Sequence, residues 1–358
     1  MPVNVFTEWG PLKEIIIGNS INFNMKGFDE VFAYLYRDQI NQLKGSRKSP
    51  PLINRQFTQE RQEDLDNFAN TLTKEGITVK RPKQLVRASF IKTPYFKAMV
   101  NALDAPRDTF LCIGNEIIET PPTNRNRYFE GLMLREVFMD YFRSGARWTL
   151  APRSRLTMES MDTRHWSKVR TLHALKNIEG HFDIAFDAAN CLKFGKDILM
   201  NVGNKNHELG AIWLQRHLGN TFKIHPVRVC DWHIDGSIMP LKEGVLLINP
   251  NMKKRLRLLP KPLQKWRTIE GLDESKGSFD YPPSHRQLAS FNGMSINVLS
   301  INETTVCVRT VDQLLRNRLE KAGFTVIPVQ MRHCELFGGG LHCISLDVNR
   351  DESLAKHW

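Results

Sequence analysis

Long apolar runs are absent from this sequence. Hydrophobic residues make up 41% of its 358 positions, but no stretch approaches the roughly 18 consecutive apolar residues of a membrane-spanning helix. The segment MPVNVFTEWG at the start also lacks the basic residues and apolar core of a secretory signal peptide. We therefore expect a soluble, cytoplasmic protein with no membrane partner and a core of considerable size.

Closely spaced cysteines are absent as well. The six cysteines include no Cys-x-x-Cys pair, so reduced core thiols are a better interpretation than a disulfide framework. Because the cysteines and histidines do not cluster at the spacing of metal ligands, we expect no metal site. No Gly-x-Gly-x-x-Gly or P-loop pattern follows a predicted strand, so a nucleotide cofactor is not expected either.

Acidic residues are fewer than basic ones. There are 38 Asp and Glu residues against 50 Lys and Arg residues, and the net charge is +12. Such a chain can bind nucleic acid when its basic residues cluster. The densest basic segment, 253–267, is short, and the other basic residues are mixed with acids. We favour a solvated basic face and no nucleic-acid partner; a basic nucleic-acid-binding protein without catalysis is one alternative.

A unit of helix, glycine and strand recurs along the chain. Residues 59–75 place Leu65, Phe68 and Leu72 on one helical face, and Gly76 then separates this helix from the strand ITVKRP. The same order of helix, glycine and strand is predicted for three more units, whose helices are 127–143, 208–218 and 310–322. A fifth unit is predicted in degenerate form near 258–270.

Short apolar strands are predicted between these units. They are EIIIG (14–18), TFLCIG (109–114), DILMNV (197–202), GVLLIN (244–249), SINVLSI (295–301) and TTVCVR (304–309). Each resulting ββαβ-like unit is too small to bury its own apolar face, which favours modules arranged around a common axis. The pattern therefore predicts a propeller-like α/β fold, with an ordinary open α/β sheet as the alternative.

Three glycines and a leucine precede a histidine and a cysteine in the stretch FGGGLHC. Gly338, Gly339 and Gly340 can adopt positive φ and let the backbone approach a ligand closely. We therefore take Cys343 as the candidate nucleophile and expect the glycines to clear space beside it. A buried structural thiol in the following strand is the alternative.

Histidine and aspartate residues occur in three further short motifs. WHID contains His233 and Asp235, which would share one face of a strand; FDAAN contains Asp187, and PRD ends at Asp108. Singly, each is typical of a structural pair or a turn acid. Together with a thiol they suit a planar cation with several N–H donors, above all a guanidinium.

The motifs, taken in order, resemble those of the arginine amidinotransferases. The matching segments are PRD (106–108), GNEIIE (114–119), FDAAN (186–190), HID (233–235) and GGGLHC (338–343). The family includes glycine, inosamine and lysine-type enzymes, some of them from antibiotic or toxin pathways. The resemblance implies a single catalytic domain over 1–358, a five-module pseudosymmetric α/β propeller, a homodimer, L-arginine as donor and no cofactor.

The resemblance also implies a role for each motif residue. Cys343 would attack the guanidinium carbon of arginine, His233 would act as general acid and base, and Asp187 would orient His233. Asp108 and Asp235 would clamp the guanidinium. Ornithine would leave, and an acceptor amine would then take the amidino group from the cysteine in a ping-pong cycle.

The chain departs from the family pattern beside the expected acceptor site. Asn190 ends the motif FDAAN, where the family pattern has Asp. Asp231 and Trp232 lie in a remodelled loop before His233. An extra acid beside a bulky ring favours a longer cationic acceptor, such as lysine, over glycine. The nearest rival function is a deiminase-type hydrolase, in which water resolves the adduct.

A second departure concerns the α-carboxylate of arginine. Met252 and Phe291 occupy positions where glycine-type members carry an arginine and a serine. The partner of the carboxylate therefore stays open in the sequence, and Lys253 or Lys254 could replace it.

Overall fold

The computed structural model describes residues 1–23, 53–87, 90–162, 180–230, 233–272, 279–282, 285 and 293–358, together with the backbone of 170–171. The strands are β1 (Leu12–Ile17), β2 (Thr78–Lys80), β3 (Phe90–Lys92), β4 (Lys97–Met99), β5 (Phe110–Ile113), β6 (Glu116–Glu119), β7 (Arg147–Leu150), β8 (Arg170–Thr171), β9 (Cys191–Phe194), β10 (Asp197–Asn201), β11 (Lys223–Arg228), β12 (Ile238–Lys242), β13 (Val245–Ile248), β14 (Arg267–Glu270), β15 (Leu299–Ser300), β16 (Thr305–Arg309), β17 (Thr325–Val329) and β18 (Ser345–Arg350).

The helices lie between these strands. The α-helices are α1 (Arg55–Lys74), α2 (Gly131–Arg143), α3 (Lys205–Leu218), α4 (Gln313–Lys321) and α5 (Cys334–Phe337). Short 3₁₀ segments occur at Pro106–Asp108, Arg125–Arg127, Met158–Ser160, Ala188–Asn190, Ile234–Gly236, Pro250–Leu258 and Leu263–Lys265. No helix in the described part of the chain is long and apolar enough to cross a membrane.

Five sheets share one ββαβ-like topology. In each, two antiparallel strands are followed by a helical segment and by a third strand parallel to the second. We number these modules one to five in the order β18–β1–β2, β5–β6–β7, β9–β10–β11, β12–β13–β14 and β15–β16–β17. Strand β8 extends the third sheet, and β3–β4 form a separate pair. The described residues thus form separate small sheets, and the alternative of one open sheet is wrong.

Local sequence signals explain the helix boundaries. In α1 the predicted stripe of Leu65, Phe68 and Leu72 is buried. The helix begins before the predicted residue 59 because the side chain of Asn54 caps its first turn. The glycines predicted to follow the four helices all have positive φ, as this position requires: Gly76, Gly145, Gly219 and Gly323.

The fourth module contains 3₁₀ turns instead of an α-helix. They occupy 250–258 and 263–265, and the chain then enters β14 at Arg267. Pro260 and Pro262 separate the turns, and because proline lacks an N–H and restricts the preceding residue, a continuous helix is blocked. The degenerate unit predicted near 258–270 is therefore present, with 3₁₀ turns in place of the helix.

The apolar core consists of clusters shared between modules. One cluster joins modules one and two, another joins two and three, a third joins three, four and five, and a fourth joins five and one. The N-terminal segment 4–9 adds isolated bridges to Asn349, Gly114 and Phe194. Its tryptophan also packs against Trp266, with ring centroids 6.1 Å apart. Neighbouring modules therefore bury their apolar faces against one another.

Candidate active site

Five short loops, one from each module, meet at one buried site. Each loop directly precedes the first strand of its module. The structure thereby brings together five of the seven predicted site residues, along with one residue that was not predicted. They are Asp108 before β5, Asp187 before β9, His233 and Asp235 before β12, Asn297 before β15 and Cys343 before β18.

The thiol of Cys343 is buried between two polar side chains. Its Sγ donates a hydrogen bond to Oδ2 of Asp235 at 3.3 Å and accepts one from Nδ2 of Asn297 at 3.2 Å. Burial, together with the charges of Asp235 and Asp108, raises the pKa of this thiol well above its usual value. The sulfur therefore carries its proton at neutral pH.

His342 connects Asp235 to a buried charge network. Its Nδ1 lies 2.8 Å from Oδ2 of Asp235, and its Nε2 lies 3.2 Å from Oε2 of Glu8. Burial alone would raise the pKa of Asp235, but the contact with His342 outweighs burial and the net pKa is lowered. This side chain is therefore a carboxylate at neutral pH. Burial would also raise the pKa of Glu8, but Lys193 and His342 outweigh it and lower this pKa to about 2.

His233 lies between two carboxylates. Its Nε2 is 3.0 Å from Oδ2 of Asp187, and its Nδ1 is 3.5 Å from Oδ1 of Asp108. Thr123 fixes Asp187 by donating from its N–H at 3.1 Å and from its hydroxyl at 2.8 Å. Burial by itself lowers the pKa of His233, but the carboxylates raise it more, to about 9. The imidazole is therefore an imidazolium at neutral pH.

Asp108 and Asp235 each hold one buried carboxylate oxygen without a hydrogen-bond partner. Oδ2 of Asp108 accepts a hydrogen bond from Arg127, whereas Oδ1 of Asp108 and Oδ1 of Asp235 accept no hydrogen bond in the described part of the chain. Oδ1 of Asp108 does lie 3.5 Å from Nδ1 of His233. Burial raises the pKa of Asp108 despite the charge of Arg127. Buried oxygens without donors are destabilising. This arrangement can therefore bind a ligand that carries N–H groups and positive charge.

The glycines of FGGGLHC make room for the protein's own side chains. A Cβ atom on Gly339 would lie 3.3 Å from Cβ of Cys343, and one on Gly340 would lie 2.7 Å from Cβ of Asn297. Of the three glycines only Gly338 has a positive φ, +72°. Two of the glycines thus admit Asn297 and the nucleophile, and the expectation that they also clear space for a ligand stays a prediction.

Two departures from the family pattern lie among the described residues. Asn190 accepts a hydrogen bond from Asn201 at 3.3 Å and so supports the loop after Asp187. Met252 is buried in the apolar cluster of modules three to five. Lys253 is exposed and forms an ion pair with Glu270 at 2.6 Å, so the suggestion that it replaces the carboxylate partner finds no support.

Other predicted residues lie outside the described part of the chain. These are Asp231, Trp232 and Phe291. Asp231 and Trp232 directly precede His233 of the site in the sequence. The substrate contacts assigned to Asp231 and Trp232 therefore stay predictions.

Several polar residues of the site were missed from the sequence. Thr123 and Arg127 follow the motif GNEIIE closely, and this proximity was the available signal for both. Asn297 lies in SINVLSI, which was predicted to be strand throughout, whereas 294–298 forms a turn in which Asn297 donates its N–H to the carbonyl of Met294 at 3.3 Å. A single polar residue such as Asn297 within an apolar run does not by itself indicate a functional site.

The side chains of the site do not form a metal-binding cluster. Among the described residues no group of three or more His, Cys, Asp or Glu side chains is arranged to hold a metal ion. The six cysteines all lie in described segments and are buried free thiols.

Comparison with known proteins gives consistent relatives. No protein-family model matches the chain. An inosamine-phosphate amidinotransferase of Streptomyces glaucescens is 34% identical over 358 residues, which cover 99% of each protein. An L-arginine:L-lysine amidinotransferase of Pseudomonas savastanoi pv. phaseolicola is 31% identical over 99% of this chain and 96% of that protein.

A solved structure agrees with these relatives. An amidinotransferase from Microseira wollei in the saxitoxin biosynthetic pathway superimposes with a TM-score of 0.82, at 27% identity and with 100% of both chains covered. The mixed α/β fold predicted from the motifs is thereby confirmed. With relatives above 30% identity over nearly their whole length, this chain belongs to the amidinotransferase family.

Proposed function

We propose that this protein transfers the amidino group of L-arginine to an acceptor amine through a covalent adduct on Cys343. The observation that carries the proposal is the contact of one thiol with a carboxylate in a buried site that also holds an imidazolium and two carboxylate oxygens that accept no hydrogen bond from the described residues. Such a site can bind a guanidinium, attack its carbon and protonate its leaving nitrogen. Ornithine is the first product.

Asp108 and Asp235 bind the guanidinium of arginine in this mechanism. Their Oδ1 atoms, which accept no hydrogen bond from the described residues, supply acceptors for guanidinium N–H groups, and their charges stabilise the cation. Binding also offsets the carboxylate charges that hold the proton on the thiol of Cys343. Substrate entry therefore favours the thiolate, which is the nucleophilic form.

In the first half-reaction the thiolate of Cys343 forms a bond to the guanidinium carbon. The bond from this carbon to the ornithine nitrogen breaks, and that nitrogen takes the proton of the His233 imidazolium. The products are neutral imidazole, an S-amidino adduct that keeps the positive charge, and ornithine. Asp187 holds His233 and raises its pKa, so the proton is in place at neutral pH.

In the second half-reaction an acceptor amine attacks the adduct. The amine loses a proton to His233, the carbon–sulfur bond breaks, and the thiolate of Cys343 is regenerated. Thiolate and imidazolium are both restored, so protons and charges balance over the cycle. No further redox or group-carrying reagent is needed for these steps.

We infer that the acceptor is lysine or another long amine rather than glycine. The proposal rests on the acid Asp231 beside Trp232 in the sequence. It is supported by a relative that is an arginine:lysine enzyme. The relation to proteins named for inosamine phosphate and saxitoxin supports a role in the biosynthesis of a natural product or toxin.

We further infer that the five modules surround a common axis as a single domain over 1–358. Apolar clusters are shared by modules one and two, two and three, three to five, and five and one, which is the order of a closed ring. The convergence of five equivalent loops at one site is the other support. A homodimer and a cytoplasmic location stay predictions.

The proposal is tested by product analysis. The protein is incubated with arginine and, in turn, with lysine, glycine, other amines or buffer alone, and ornithine and citrulline are quantified separately. We expect ornithine only when an amine is present, most of all lysine. Citrulline in buffer alone would establish the hydrolase instead. Neither product, combined with salt-sensitive binding to nucleic acid, would favour the non-catalytic alternative.

A matched pair of cysteine variants tests the nucleophile. Cys343→Ser should abolish transfer, because a serine hydroxyl is a far weaker nucleophile in this site. Cys191→Ser changes another buried cysteine and should retain transfer. Normal activity of Cys343→Ser would overturn the covalent mechanism, and mass spectrometry of the arginine-treated protein should find the amidino adduct on Cys343.

A further inference from the structure

We propose that Asn297 is a further catalytic residue, whose amide N–H group stabilises the Cys343 thiolate in both half-reactions. The inference rests on the proposed function, because it concerns the same nucleophile. Asn297 is 1% exposed, and its Nδ2 lies 3.2 Å from Sγ of Cys343. It thus touches the reacting atom directly.

The orientation of the Asn297 amide follows from its partners. Oδ1 accepts hydrogen bonds from the backbone N–H groups of His342 and Cys343, each at 3.0 Å. Only an oxygen can accept from two N–H groups, so the opposite end of the amide must be the NH₂ group. That group faces the sulfur. The same side chain thereby positions the nucleophile backbone and donates to its sulfur.

The close approach of Asn297 explains the glycine at position 340. A side chain at Gly340 would meet Cβ of Asn297 at 2.7 Å and its Oδ1 at 2.8 Å. These distances are shorter than ordinary van der Waals contacts, so a larger residue would displace the amide. The lack of a side chain at this position therefore serves the contact between Asn297 and Cys343.

The surroundings of the sulfur explain why such a donor is needed. Asp235 lies 3.3 Å from Sγ and repels a thiolate. Within the described segments, Asn297 alone donates a hydrogen bond to this sulfur. A hydrogen bond to an anion is stronger than one to a neutral thiol or to a sulfur that carries the amidino group. The donor therefore favours formation of the attacking thiolate and its later release from the adduct.

Asn297→Asp separates stabilisation of the thiolate from positioning of the loop. The carboxylate can still accept both backbone N–H groups with Oδ1, but its second oxygen places negative charge where the donor was. We expect kcat for transfer to fall roughly 10- to 100-fold, the effect of one hydrogen bond to a charged group. Alkylation of Cys343 by iodoacetamide, followed by mass spectrometry from pH 7 to 10, should slow and shift to higher pH.

Asn302→Asp is the matched control. Asn302 belongs to the same module, and its Oδ1 accepts hydrogen bonds from the N–H groups of Thr304 and Thr305, remote from the sulfur. This variant should keep both the activity and the alkylation profile. If Asn297→Asp does not fold, the alkylation profile of Asn297→Ser tests the loss of the donor, since its hydroxyl is too short to span the gap to Cys343.

The outcomes for Asn297 and for the proposed function can be told apart. If Cys343→Ser is inactive and Asn297→Asp shows normal transfer or an unchanged alkylation profile, the inference about Asn297 is wrong and the covalent mechanism stands. If Cys343→Ser retains transfer, the proposed mechanism itself is wrong, whatever Asn297 does. Slowed transfer together with a shifted alkylation profile supports the role of Asn297.

Discussion

At the scale of single residues, the proton positions of Cys343 and His233 decide when the site can react. Burial and neighbouring carboxylates raise the pKa of the thiol well above its usual value, while the pKa of His233 is about 9. Below pH 9 both groups therefore hold their protons. The reactive pair consists of the Cys343 thiolate and the His233 imidazolium, and it holds one proton fewer than this fully protonated state. It is therefore a minor species until the pH approaches the lower of the two pKa values.

The first prediction concerns the pH dependence of transfer. Loss of one proton from the pair forms the reactive species, so kcat/KM for arginine should rise with pH and level off near pH 9, the pKa of His233. In Asp187→Asn one carboxylate that raises this pKa is lost. The levelling should then occur at lower pH, and kcat should fall by about 100-fold or more.

Asp197→Asn provides the control for this pH profile. Asp197 lies 2.6 Å from Nε2 of His225 in a second histidine–aspartate pair of the third module. Because that pair contributes no residue to the site, its loss should leave the pH dependence of transfer unchanged. An Asp187→Asn profile that coincides with the wild type would contradict the role assigned to Asp187.

At the scale of elements, the nucleophile loop is held from several sides. It follows α5, which is bracketed by His333 and Gly338 in left-handed conformations, with φ of +61° and +72°. Arg61 of α1 donates a hydrogen bond to the carbonyl of Gly339 at 2.9 Å and is paired with Asp104 at 2.9 Å. A buried ion pair that holds a backbone carbonyl fixes the loop more firmly than local sequence preference can.

The second prediction concerns the space available to this loop. Gly340→Ala would place a Cβ atom 2.7 Å from Cβ of Asn297, so we expect the amide to shift, kcat to fall at least about tenfold and the melting temperature to decrease. Gly203→Ala is the control, because its nearest contacts would be ordinary ones at 3.4 Å. Wild-type activity and stability of Gly340→Ala would mean that the loop tolerates displacement.

At the scale of the whole molecule, the two ends of the chain build one module. Strand β1 pairs with β18 along Ile17 to Leu12, so the first sheet contains residues from both termini. Leu346 of β18 is 1% exposed and packs in the cluster shared by modules one and two. A change there should therefore affect the entire chain.

The third prediction tests this cooperativity. Leu346→Ala should lower the free energy of unfolding by about 2–5 kcal/mol, as for other buried leucines, and calorimetry should find one transition displaced to lower temperature. Leu314→Ala, at a position 64% exposed in α4, should change the stability by less than about 0.5 kcal/mol. Two separate transitions, with only one of them displaced, would contradict a single domain.

Much of this architecture could be predicted from the sequence because its signals are local. The apolar stripe of 65–72, the glycine at the end of each helix and the short apolar strands arise from contacts within a few residues. In the fourth module, whose unit was predicted only in degenerate form, Pro260 and Pro262 prevent an α-helix and 3₁₀ turns take its place. The prediction was wrong at 295–298, where a turn replaces the first part of the predicted strand.

The motif residues Cys343, His233, Asp187, Asp108 and Asp235, and the family that they indicate, could be identified from the sequence. Only the folded structure reveals that Asn297 meets Cys343, that His342 links Asp235 to Glu8, and which carboxylate oxygens accept no hydrogen bond from the described residues. The physical reason is separation along the chain. Asn297 and Cys343 are 46 positions apart, and only the packing of one module against another brings such residues within hydrogen-bond distance.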